Sequence, residues 1–245
     1  MPEISIKPEP ILEIFHFKIT NSFLTAVIVM GLFFLIALRY NRESKSKKKT
    51  NFFYFFNFIL KSIYSLFESV LGDKTNYFFP LLFSFFAFII LQNWFGLLPG
   101  IGSILIEVYH HGEEHFYPLF RGGNADLNTT LGLALISVIS IQYFGIKYLG
   151  FKGYIKKYIN LTNPINFFLG VLEIVSEFSK ILSFSFRLFG NIFAGEVLLT
   201  IVAFLIPVLA SFPFLILEVF VGFVQALVFS MLTSVFISNA ITSHH

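Results

Sequence analysis

Charge is missing from long runs of this chain. Ile19 to Leu38 carries none, nor does anything between Lys74 and Glu107, nor Leu127 to Ile146. A helix needs about 20 apolar residues to cross a bilayer, and each run is long enough. A water-soluble fold would have to coat such runs with polar surface, and this chain has little. Of its 245 residues 13% are charged and 56% hydrophobic, against roughly 25% charged in a typical soluble domain. The reading is therefore an all-α integral membrane protein, a single membrane domain over 1–245, whose length counts crossings. The absence of Cys excludes disulfides and thiolate metal sites. A net charge of +3 gives no reason to expect nucleic acid.

Five spanning helices are placed at 19–38, 78–98, 127–146, 164–206 and 213–240. Residues 1–18 form an outer N-terminal segment without the marks of a signal peptide. Between residues 52 and 71, Asn57, Lys61, Ser65, Glu68 and Ser69 recur at helical spacing, while Phe55, Phe56, Ile59, Ile63 and Leu66 cover much of the rest. That pattern predicts one amphipathic helix lying in the interface, with a sixth spanning helix as the alternative. Pro99-Gly100 ends the second span, and 99–126 is a polar outer loop. Asn163-Pro164 opens the long helix, and Pro207 to Pro213 turns it into the last one, a C-terminal helical hairpin.

Orientation follows from the basic residues. Arg39, Arg42, Lys45, Lys47, Lys48 and Lys49 fill one loop, and Lys147, Lys152, Lys156 and Lys157 another. These loops are expected in the cytoplasm. With 52–71 kept on that surface, the N-terminus lies outside and the C-terminus inside. No transit peptide is visible, so a bacterial plasma (inner) membrane is expected; an organelle-encoded copy would read the same way.

After Tyr158 the only formal charges, His aside, are Glu173, Glu177, Lys180, Arg187, Glu196 and Glu218, all within apolar helices. An ionisable group near the bilayer centre costs from about 2.5 kcal/mol upward, so it persists where it pairs or where water and ions pass. At helical periodicity Glu173, Lys180 and Arg187 share a face that Asn191 joins, among the small residues Ser176, Ser183, Gly190 and Ala194. Glu196 lies half a turn away and about 13 Å further along the axis. Glu218 and Gln225 share a face of the last helix, and the hairpin lets Glu218 meet Glu196. Arg stays protonated and can act as a fixed barrier, whereas a desolvated Glu can accept and pass protons. Together they read as a gated proton path. Lys180, Glu173 and Glu177 read as a structural set. Asp126 and Asn128 read as helix-cap residues that could also stand at a channel mouth.

These residues carry a family resemblance. The stretch from Glu177 to Glu196, EFSKILSFSFRLFGNIFAGE, resembles the signature of subunit a of F-type ATP synthases. In the same order, Gln92 to Gly100 (QNWFGLLPG) resembles the end of that family's third helix. Ala125 to Thr130 (ADLNTT) is similar to the start of its fourth, and Gln225 to Phe229 (QALVF) to the core of its last. The resemblance implies that Arg187 is the essential arginine facing the rotating c-ring, the main partner, with subunit b as the stator neighbour. It implies that Asn191, Glu196, Glu218 and Gln225 line two aqueous half-channels and that the chain moves protons without catalysing a covalent reaction. Glu218 stands where bacterial relatives often have His, and Asn21 where some carry Asp. No cofactor and no metal are expected.

Two other classes remain at this level. A stand-alone secondary ion transporter would show internal repeats, and none is visible. His111-Gly-Glu-Glu114-His115 fits the H-x-x-E-H pattern of a zinc peptidase, since a helix would bring both His to one face. It sits in the outer loop with no other catalytic core, and a solvated polar loop is the plainer reading.

Overall fold

The structure is a computed structural model that describes residues 8–14, 17–98, 100–110, 113–158, 163–206 and 211–242. Seven α-helices carry the fold: α1 (Asn21–Ser44), α2 (Asn51–Leu71), α3 (Thr75–Gly96), α4 (Leu127–Leu149), α5 (Phe151–Tyr158), α6 (Pro164–Leu205) and α7 (Ser211–Ile241). Five helical stretches are long and apolar enough to cross a membrane: 21–44, 51–96, 127–149, 164–205 and 211–241.

Local chemistry sets the helix ends. Thr20 Oγ1 accepts the Phe23 N–H at the start of α1, and Asp126 Oδ1 accepts the Asn128 N–H at the start of α4. Both fill backbone donors that a helix leaves open. Pro164 opens α6, where a missing N–H is harmless. Gly150, at φ 73°, ends α4 in a conformation that other residues avoid. At 42 residues, α6 is roughly 63 Å long, twice the hydrocarbon thickness. It can cross only with a steep tilt or with its ends well outside the hydrocarbon.

The contacts sort the helix ends into two groups. The C-terminus of α1, the N-terminus of α3 and the C-termini of α4 and α7 gather at one end, here the basic end. The Lys147 ammonium there donates to the Tyr77 hydroxyl at 2.7 Å, and Phe78 meets Phe144 edge-on. α2 runs across this end. It starts on Tyr40, whose ring stacks on Phe53 and whose hydroxyl donates to Asn57. It finishes on Asn76 and Phe79 of α3 and Ser238 of α7. A helix antiparallel to α3 through the bundle would instead bring its first residues to the far end of α3.

The core between α2, α3, α4, α6 and α7 is mostly large apolar side chains, with Phe67, Phe78, Leu82, Ile89, Ile141, Leu188 and Ile237 almost fully buried. Hydroxyl pairs cross it: Ser137 with Thr233 at 2.9 Å and Thr130 with Ser185 at 3.2 Å. Small hydroxyl residues allow close approach and satisfy each other where no water reaches.

The opposite end adds two short hairpins to this all-α membrane fold. Pro10–Ile14 (β1) pairs antiparallel with Phe17–Thr20 (β2), and Leu105–His110 (β3) with Glu113–Pro118 (β4). The sequence reading has polar segments there. Ile106, Val108, Tyr109, Phe116 and Tyr117 suit a pleated strand, and a search for long apolar runs passes over six-residue strands. The H-x-x-E-H pattern accordingly does not fall on a helix: Glu114 and His115 belong to β4, and His111 lies outside the described residues. Among the described residues no cluster of three His, Asp or Glu is placed to hold a metal ion.

Candidate functional site

α6 is the least covered helix. Only 11% of its most apolar stretch is buried, against 44% for the stretch that includes α2 and α3. Its open side is a stripe at helical spacing: Ser179, Ser183, Arg187, Asn191, Ala194 and Leu198 are all exposed. Arg187 is the cation of that stripe. Its Nη2 donates to Ser183 Oγ, one turn back, at 3.3 Å. Among the described residues no carboxylate lies within ion-pair distance of it, although α6 itself carries three acids, Glu173, Glu177 and Glu196.

Those acids are occupied or directed elsewhere. Lys180 Nζ donates to Glu177 Oε1 at 2.7 Å, and the Tyr158 hydroxyl reaches the same oxygen at 3.5 Å. Tyr158 and Tyr154 of α5 both donate to Gln142 Oε1 of α4. The set ties α4, α5 and α6 together at the basic end. Burial, then the Tyr158 hydrogen bond, push the Tyr154 phenol above its ordinary range. Glu173 is half-buried beside this set.

Two cavities flank Arg187. The smaller, about 270 Å³, opens toward the basic end between α6 and α7 and is lined by Ser176, Ser179, Lys180, Ser183, Phe184, Arg187, Leu232 and Phe236. The larger, about 920 Å³, opens at the hairpin end, where Asn21, Asn93, Arg121, Glu196, Thr200 and Glu218 meet on its wall.

Glu196 and Glu218 thus share a cavity but have different surroundings. Arg121, from the loop before α4, donates through Nη2 and Nε to Glu196 Oε2 at 3.1 and 3.3 Å. Glu218 is 6% exposed, and its carboxylate lies against the α6 backbone at Gly195. A Cβ on Gly195 would stand 2.1 Å from Glu218 Oε2. Gly195 therefore makes the room that Glu218 uses. Next to it, Asn93 Nδ2 donates to the Gly222 carbonyl at 2.9 Å and accepts at Oδ1 from Asn124 at 2.7 Å.

The other sequence candidates fall as follows. Asn191 is exposed on the α6 stripe. Gln225 is half-buried on α7, and its side chain lines neither cavity. Asp126 is buried, with Oδ1 capping α4 and Oδ2 accepting from Ser22 Oγ of α1 at 3.0 Å. Asn128 is exposed and also lines neither cavity. Arg121 and Asn93 did not emerge from the sequence as site residues. Arg121 reads there as one more charge of a polar loop, and only the return of that loop into the bundle reveals its partner.

The ATP synthase A chain family model matches residues 19–238, nearly the whole helical part. The chain belongs to the ATP synthase A chain family. It is a subunit a of F-type ATP synthase, a multi-pass membrane-sector protein that translocates protons alongside the c-ring. The A chain is a membrane-sector subunit and not a catalytic one. The match takes in α6 and α7 as far as Ser238, and so Arg187, the small cavity and all of the large one but Pro8, Glu9 and Pro10.

Proposed function

We propose that this chain conducts protons through two half-channels separated by Arg187, each opening to a different side of the membrane. The observation that carries the reading is Arg187 itself, exposed on an apolar helix between two cavities, with no acid at hand among the described residues. A permanent charge facing lipid is costly, so this face calls for a partner that brings a carboxylate. The c-ring is that partner, and subunit b holds the chain still as the stator.

Protons enter the large cavity from outside, near Glu196 and Glu218, and load a ring carboxylate. The loaded carboxylate rotates away through the lipid and returns on the Ser183 side. There Arg187 draws the carboxylate into its ionised form and displaces the proton into the small cavity. Because Arg does not release its proton in proteins, no relay crosses it directly. The coupling is electrostatic, and the chain makes and breaks no covalent bond beyond proton transfer.

The basic loops place the α2 end in the cytoplasm of a bacterial cell by the bias of Lys and Arg. α2 then lies along that interface, which its contacts across one end of the bundle support. The small cavity opens inward and the large one outward. Arg187→Ala abolishes ATP synthesis driven by a proton gradient in reconstituted complexes. Synthesis at more than a few per cent of the native rate would refute the reading.

A further inference from the structure

We propose that Asn93 and Trp94 are positioning residues for proton uptake: their side-chain N–H groups clamp α7 beside Glu218 and so hold its carboxyl in the large cavity. The inference rests on the half-channel reading, in which Glu218 meets incoming protons, and deepens it by naming what keeps that acid in place.

Two consecutive residues at the end of α3 build the clamp. Asn93 Nδ2 donates to the Gly222 carbonyl at 2.9 Å, and Trp94 Nε1 to the Val219 carbonyl at 3.1 Å. Both acceptors are main-chain oxygens of α7, Val219 directly after Glu218 and Gly222 about one turn beyond it. A helical carbonyl has a second lone pair, so each can accept a side chain and keep its place in the helix. The Asn93 amide is itself held. A carbonyl only accepts, so Nδ2 must face Gly222 and Oδ1 is left for Asn124, whose Nδ2 reaches it at 2.7 Å and the Ile89 carbonyl at 3.3 Å. The Gly123 N–H donates to Gln92 Oε1 at 3.2 Å and pins the same loop to α3. Gly222 lets the two helices come this close: a Cβ there would stand 3.0 Å from Asn93 Cβ and 3.6 Å from Trp94 Cδ1.

The other side of α7 shows why the grip matters. The Glu218 carboxylate is seated on Gly195 of α6 with no room for even one more carbon between them. An acid seated so tightly follows any turn or shift of the helix that carries it. One bond from α3 would leave α7 a pivot, whereas two at different points along it oppose rotation as well as separation. Asn93 shares the wall of the large cavity with Glu218, but Trp94 does not line it. An effect of Trp94 on proton uptake therefore has to pass through α7.

Conductance and position are measured separately. Membrane sectors stripped of their catalytic heads are reconstituted into vesicles, and proton uptake driven by a potassium diffusion potential is measured per assembled complex, with assembly scored by co-purification of the c-ring. W94F, which removes one N–H and keeps an aromatic ring, lowers conductance at least threefold with ring recovery unchanged. G222A keeps every hydrogen-bonding group but pushes α7 away from Asn93, and it has the same effect. Position is read in this Cys-free chain by E218C and T200C, which put single thiols on the large cavity from α7 and α6. The rate at which a water-soluble thiol reagent modifies each is compared with and without W94F. The rate at E218C rises at least threefold, while that at T200C is unchanged; a general loosening of the bundle would raise both. Native conductance in W94F and G222A, a rate at E218C that does not rise, or a rise shared by T200C would overturn the inference. The thiol rates are read on chains that need not conduct. They judge the clamp even if the unsubstituted complex fails to carry protons, an outcome that would instead remove the half-channel reading beneath it.

Discussion

Arg187 and Arg121 have the same side chain and opposite circumstances. Arg121 is buried and paired across 75 positions of sequence with Glu196. Arg187 is exposed, with one hydroxyl neighbour. The difference lies in what surrounds them: Arg121 faces the interior of the bundle, and Arg187 the side of α6 that this chain leaves open. Gly195 is the second residue whose environment decides its use. Gly195→Ala would drive a methyl into the Glu218 carboxylate. The atom met is the end of a flexible side chain, so the fold survives and the carboxylate moves. The expected result is a normal amount of chain in the membrane with proton conductance lowered severalfold, read by immunoblot and vesicle uptake. A parallel loss of both would mean that the α6–α7 packing had failed instead.

At the scale of elements, α5 shows how a short helix is held. It spans eight residues, too few to be stable alone. It persists because Tyr154 and Tyr158 reach Gln142 of α4 while Tyr158 also touches Glu177 of α6. Burial favours the neutral phenol of Tyr154 and raises its pKa above the ordinary value of 10.0. The folded state then binds the proton more tightly than the unfolded one. The contribution to stability is full below pH 10 and declines as pH rises beyond it. Protection of the α5 amides, measured relative to their base-catalysed intrinsic exchange, should fall above that pH in the native chain. Tyr154→Phe should remove this pH dependence while weakening α5 docking by about 1 kcal/mol at neutral pH, the usual net value of a lost hydrogen bond.

The whole molecule is asymmetric in its cover. The core gathers around α3 and α7, while α6 keeps an open stripe with serines, Arg187 and Asn191 along it. The proposed function puts the ring on this stripe, and the absence of Cys makes that easy to test. Single Cys residues introduced at Ser183, Asn191 or Ala194 should form disulfides with Cys residues placed on the outer helix of the ring. A Cys in place of Phe34, exposed on α1, should form none. Cross-linking from Phe34→Cys but from none of the α6 positions would put the ring on the wrong helix.

What was legible in the sequence is what depends on local composition. Apolar runs determine that the chain must sit in a bilayer and how many helices it can thread, because backbone polar groups there must be satisfied within a helix. The Arg187 motif was legible because few other contexts tolerate such a charge in an apolar helix. The two hairpins were not, since their strands are too short and mixed to register as runs. Nor was the partnership of Arg121, because an ion pair across 75 positions leaves no local trace. The sequence could say that Glu196 and Glu218 belong near one another. Only the tertiary structure decided that one is matched by a buried cation and the other rests on a glycine. Those surroundings come from α1, the loop before α4, and α6, segments far apart along the chain that meet only once the helices have packed.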